Sequence, residues 1–250
     1  MADTRALRSR WLRRGLGVAA VALAGVAVHD GRKILRIKRV ADGAEVLAHD
    51  LTVGEGLGEP LELVVLGDSA AAGHGIPAAA DAMPQRIGVQ LAKASGRRVA
   101  VRSLAVSGAT TQDVLRFQAP QLRRRAADIV VINVGVNDAL SRQVDPDLTS
   151  HTLALIDAVR RYTPGGNVIF VETPDLSNAP GIPWTTGQLV KRRCRRVRAL
   201  QRDAARQAGV PLVELPDVLD RGAFGVDGFH PGPVGQDALA RRVAAELLFD

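Results

Sequence analysis

The chain has 250 residues, 46% hydrophobic and 24% charged, a globular composition with length enough for a sizeable core, which excludes collagen-like, disordered and disulfide-scaffold architectures. Its single cysteine, Cys194, rules out an intramolecular disulfide and a thiolate metal cluster, and 3% aromatic content leaves no stacking platform for single-stranded nucleic acid. The formal charge of +7 belongs to the start of the chain: residues 1–40 hold ten Lys and Arg against two acids, residues 41–250 hold 23 basic against 24 acidic, so no nucleic-acid partner is expected.

Arg5, Arg8, Arg10, Arg13 and Arg14 precede an uncharged run from Gly15 to Val28, which predicts a hydrophobic helix serving as a signal or membrane anchor in residues 1–40. The run is short for a spanning helix. Ala22-Leu23-Ala24 offers a small-x-small cleavage site, whereas Arg32, Lys33, Arg36, Lys38 and Arg39 oppose translocation, so cleaved signal and retained anchor both stay open, beside a solvent-exposed amphipathic helix. Membrane contact through residues 1–40, or export to the cell envelope, is the expected localisation. Residues 41–60, with Gly54, Gly56, Gly58 and Pro60, read as a linker or peripheral hairpin.

From Leu61 short apolar runs alternate with helical patterns. Strands are expected at Leu61–Leu66, Val99–Ala105, Ile129–Val134, Asn167–Val171 and Pro211–Glu214. Helices are expected at Met83–Ser95, Thr111–Arg125, Leu148–Tyr162, Thr185–Ala208 and Val234–Phe249. Five near-continuous apolar strands separated by helices predict an α/β domain over residues 61–250, its parallel sheet covered on both faces and its site beyond the strands' carboxyl ends.

The first of these strands runs into Gly67-Asp68-Ser69-Ala70-Ala71-Ala72-Gly73, which places a serine hydroxyl past a strand end in a loop expected to enter a helix, whose terminal amides would favour negative charge. This is not the Gly-x-Ser-x-Gly elbow, and Gly-Asp-Ser alone is also an ordinary turn. A serine nucleophile needs a base and a group that orients the base; Asp227-Gly228-Phe229-His230-Pro231 supplies both, three residues apart in a Gly/Pro-rich loop. His74, near Ser69, competes as base, but no acid stands three or four residues away and it reads as a surface-loop histidine. Gly108 after the second strand and Asn137 after the third are candidate oxyanion donors, though Gly and Asn are also plain turn residues.

Gly67-Asp68-Ser69, Gly108, Gly135-x-Asn137-Asp138 and Asp227-x-x-His230, in this order, resemble the conserved blocks of the SGNH (GDSL-type) esterase/lipase family over Leu61–Phe249. The resemblance implies Ser69 as nucleophile, His230 as base, Asp227 as its orienting acid, and an oxyanion hole from the Ser69 and Gly108 amides and the Asn137 side chain. It also implies a flavodoxin-like three-layer α/β/α sandwich and no metal or organic cofactor. The expected activity is serine-dependent hydrolysis of a small-molecule or lipid ester through an acyl-enzyme. Acyl transfer or carbohydrate deacetylation with the same triad, and a non-catalytic lipid- or carbohydrate-binding module, are the alternatives. Lys191–Arg206 reads as a solvated basic face or a contact for anionic lipid or an acidic substrate, Trp184 as a pocket wall or core residue, and Cys194 as packing.

Overall fold

The computed structural model describes residues 50–125 and 127–249. The expected N-terminal hydrophobic helix and its signal or anchor role lie outside the described residues; among those described, no helix is long and apolar enough to cross a membrane.

Six strands, β1 (Leu51–Val53), β2 (Leu61–Gly67), β3 (Val99–Ser103), β4 (Ile129–Asn133), β5 (Asn167–Val171) and β6 (Leu212–Val213), form one sheet in the order β1-β3-β2-β4-β5-β6. The strands β2 to β6 pair in parallel, as expected. The sheet is nevertheless mixed and six-stranded rather than five-stranded and parallel, because β1, in the stretch read as a linker, pairs antiparallel with β3 through Leu51 opposite Val101 and Val53 opposite Val99. Three residues are too few to show a period of two, but Val53 gains a place against the buried cluster that includes Val99, Val101 and Ile87.

Near-continuous apolar strands require cover on both faces, and they have it. On one side Leu63, Val65, Val131 and Ile169 meet Ile87 and Leu91 of α1 (Met83–Ser95) and Ala240 and Val243 of α5 (Pro233–Phe249). On the other, Val64, Leu66, Ile132 and Phe170 meet Leu155, Ile156 and Val159 of α3 (Leu148–Tyr162) and Ala205 of α4 (Trp184–Ala208). The result is the expected three-layer sandwich. Each fully buried Val or Leu of β2 stabilises it by about 1.5–3 kcal/mol.

The stretch expected as one helix from Thr111 to Arg125 breaks into three pieces: a turn at Thr111–Asp113 under a Thr110/Asp113 capping box, a π-helical segment Val114–Gln118 and a 3₁₀ segment Ala119–Arg124. Pro120 has no N–H to continue an α-helical ladder, so the chain rewinds around it. A short helix follows β4, α2 (Val136–Leu140), where the sequence reads only as a loop.

Candidate active site

Ser69 stands two residues past β2, at the sheet end where all the parallel strands terminate. No helix begins there. Residues 69–75 make successive turns, with the Ala72 N–H donating to Asp68 O at 2.9 Å and the His74 N–H to Ser69 O at 2.9 Å; Gly73, Gly75 and Pro77 prevent continuation, and α1 starts only at Met83. Two buried hydrogen bonds fix the strand end itself: Gln118 Oε1 accepts from the Gly67 N–H at 2.8 Å and Gln118 Nε2 donates to Gly67 O at 2.8 Å.

His230 reaches Ser69 from the loop between β6 and α5. Its Nε2 lies 3.0 Å from Ser69 Oγ and its Nδ1 lies 2.6 Å from Asp227 Oδ2. The other carboxylate oxygen of Asp227 accepts from the backbone N–H of Phe229 at 2.9 Å and of His230 at 3.0 Å, so the carboxylate organises the loop that carries His230. Burial pushes the Asp227 carboxyl up, but the His230 ring and these two amides outweigh it and hold the group below the usual carboxylate range. Ser69, Asp227 and His230 are each less than one-tenth exposed.

His74, expected at the surface, is buried, and its ring centroid lies 4.5 Å from that of His230. Its Nδ1 is 3.3 Å from Ser107 Oγ. The turns after Ser69 fold it inward against the His230 ring, an effect that local sequence spacing does not report.

The loops after β3 and β4 bring Gly108 and Asn137 to the same end of the sheet. Gly108 has φ +86°, a left-handed conformation that costs a side chain strain, while the space beside it is open. Asn137 Nδ2 donates to Ala109 O at 3.0 Å; this fixes the amide against the Gly108 loop and commits only one of its two hydrogens. Asp138, next along, accepts from the Thr111 N–H and Thr111 Oγ1, each at 3.0 Å, and thereby joins the two loops. Burial pushes the Asp138 carboxyl up and the Thr111 bonds offset it only in part. Gly135 admits no side chain, since a Cβ there would sit 2.1 Å from Thr173 Oγ1.

Spacing alone missed a set of positioning glutamines. Beside Gln118, Gln201 ties Val134 O (2.8 Å) to the Thr173 N–H (2.9 Å), and Gln236 ties Ala70 O (3.1 Å) to the Met83 N–H (2.9 Å). A signal was present: Val114-Gln118-Leu122, Val197-Gln201-Ala205 and Gln236-Ala240 each set a glutamine on an apolar stripe of period four. Of the features left open, Trp184 is 73% exposed, Cys194 is fully buried with its thiol pushed up by burial, and the basic stretch is not wholly solvated. Arg198 is buried in an ion pair with Glu172, which also accepts from Arg202 Nε at 2.8 Å.

A serine hydroxyl facing a histidine ring that a carboxylate holds, with amide donors on adjacent loops, is the arrangement that acyl-group chemistry requires. The pattern of the GDSL-like Lipase/Acylhydrolase family matches residues 65–238. A GDSL-like esterase of Mycobacterium tuberculosis is 31% identical over 202 residues, 76% of this chain and 60% of that protein, so the chain spans about three-fifths of the relative's length. Among solved structures, TesA superposes with a TM-score of 0.61 at 22% identity, covering 74% of this chain and 97% of its own. A variant of Axe2, an acetyl xylan esterase from Geobacillus stearothermophilus, gives 0.61 at 18% identity, covering 78% and 97%. These likenesses establish the fold, and the match over residues 65–238 establishes the lineage: the chain belongs to the GDSL-like lipase/acylhydrolase family.

Proposed function

We propose that this protein hydrolyses carboxylic esters through a covalent acyl-enzyme on Ser69. The observation that carries the reading is the unbroken chain Ser69 Oγ, His230 Nε2, His230 Nδ1, Asp227 Oδ2, with separations of 3.0 and 2.6 Å. In this mechanism Ser69 Oγ attacks the ester carbonyl as His230 Nε2 takes its proton, and Asp227 stabilises the resulting imidazolium. The oxyanion is met by the Ser69 and Gly108 N–H groups and by the uncommitted hydrogen of Asn137 Nδ2. Collapse breaks the C–O bond to the alcohol, which receives the proton from His230; water then attacks the acyl-enzyme by the same route and Ser69 is restored.

Labelling with a fluorophosphonate, read by intact mass, tests nucleophile activation whatever the natural ester is. One adduct on Ser69, lost in Ser69→Ala and strongly slowed in His230→Ala, is the expected result. Absence of an adduct on folded wild-type protein overturns the assignment and favours a binding module. Product analysis with an added alcohol acceptor then separates hydrolysis from transfer.

We also propose that residues 1–40 hold the domain at a membrane. Their charge pattern supports this, and so does the entry of the chain into the sheet. Because β1 runs antiparallel to β3, Asp50 lies at the sheet end that carries Ser69, where Val106, Trp184, Val226 and Val234 are exposed. Retention of the full chain in carbonate-washed membranes is the expected outcome; recovery in the soluble fraction refutes it.

A further inference from the structure

An apolar cleft of about 220 Å³ runs from Ser69 and His230 toward the β6 edge of the sheet, between α5 and residues 215–224. Its walls are Leu176, Leu215, Leu219, Phe224, Phe229 and Leu239, and exposed Asp220 and Arg242 line it where it reaches the surface. Gly108 and Asn137, which flank Ser69 on the loops after β3 and β4, line no part of it, although Asn133 and Val136 beside Asn137 do.

Resting on the reading of Ser69 as the residue that carries the acyl group, we propose that this cleft holds the acyl chain and that the protein's substrates are esters of medium-chain fatty acids. The tetrahedral centre on Ser69 has four substituents. One is the serine oxygen, one is the oxyanion directed at Gly108 and Asn137, and one is the alcohol oxygen, which must meet His230 and then leave so that water can take its place. The fourth, the acyl carbon, stays attached through both halves of the reaction and is the one that a walled apolar cleft beside Ser69 suits. Hydrocarbon fits these walls, whereas a polyhydroxy alcohol would surrender hydrogen bonds to water without replacement. An apolar cavity of about 150 Å³ accommodates a six-carbon ring, so the cleft takes a chain of about nine carbons. Burial of each methylene raises kcat/KM by about fourfold until the cleft is filled.

The test is kcat/KM of the full chain on p-nitrophenyl esters from acetate to palmitate, alongside acetate esters of alcohols from ethanol to octanol. The acyl series should climb from acetate to a maximum near octanoate or decanoate, while the alcohol series stays flat. Ala238→Trp, at an exposed α5 position on the cleft wall, and Leu219→Asp should each lower the octanoate-to-acetate ratio by tenfold or more. An acyl series without a rise, a rise confined to the alcohol series, or a ratio unchanged in both folded variants overturns the proposal. Failure of the underlying reading has a different signature: no ester of either series is turned over and fluorophosphonate leaves Ser69 unmodified. The wild-type series decides the matter even if neither variant folds.

Discussion

Asp68, between the glycine that ends β2 and the serine of the site, is buried to 1% exposure. One carboxylate oxygen accepts from the Ala70 N–H at 3.1 Å; the other meets no donor in good hydrogen-bond geometry among the described residues, and the Val136 amide is the smallest of the influences on the group. Desolvation raises its pKa from the usual 3.8 to about 6, against the Ala70 amide and the attraction of His230, which act downward. A carboxyl whose pKa is higher in the folded than in the unfolded state binds more protons when folded between those values. Its charge therefore costs nothing in strong acid, and the cost grows as pH rises toward 6 and is complete above it. At about 1.4 kcal/mol per unit, the full penalty is about 3 kcal/mol. Asp68→Asn keeps the acceptor for Ala70 and removes the ionisable group. The stability difference between variant and wild type should therefore shift in the variant's favour by about 2 kcal/mol between about pH 4 and pH 8. Urea unfolding followed by far-UV circular dichroism at several pH values measures it, with groups common to both proteins cancelling in the difference. A difference that stays constant across this range refutes the argument, since it would mean that Asp68 titrates alike in the folded and unfolded chains.

Two other buried polar groups make sharper demands. Gln118→Met leaves the Gly67 N–H and C=O buried without their partners, and should lower stability by about 2–4 kcal/mol by urea midpoint while slowing fluorophosphonate labelling of Ser69; an unchanged midpoint would show that the glutamine is dispensable. Glu172 is fully buried between Arg198 and Arg202 and accepts from the Leu215 N–H at 2.7 Å; burial pushes its carboxyl up, yet these donors prevail and hold it below its usual value. Its contribution is thus present above the ordinary glutamate pKa and lost as pH falls. Glu172→Gln should cost about 3–5 kcal/mol near neutrality, a gap that narrows in acid when thermal unfolding is followed against pH.

The central strands were legible because burial on both faces demands uninterrupted Val, Ile and Leu. β2, β4 and β5 stand within a residue of where those runs begin and end. Helices with a stripe of period 3.6 were equally legible: Leu148–Tyr162 lies where its pattern places it. The signal failed where tertiary pairing, not periodicity, decides. Three residues of β1 carry too little pattern to announce an edge strand, and they add an antiparallel member to a sheet whose composition reads as parallel. At Thr111–Arg124 the apolar stripe is real, but Pro120 divides the backbone beneath it into three kinds of helix.

The site divides along the same line. Ser69, Gly108, Asn137, Asp227 and His230, singled out because chain order and residue type constrain them together, do converge at one end of the sheet. The residues that hold the strand ends at working distance could not be singled out in this way, because their contribution depends on partners far away in sequence: Gln118 is 51 residues from Gly67, and Gln236 is 153 from Met83. A glutamine on an apolar stripe gains nothing from burial unless both ends of its amide find partners, since an unmet polar group there costs about 1–3 kcal/mol. Three such stripes each give a position to a glutamine, and each glutamine bridges two backbone groups at the sheet end that carries Ser69. Rigidity is thus concentrated where the loops leave the sheet. A shift of one strand end would separate Ser69 from His230, whose 3.0 Å approach is made between residues 161 positions apart.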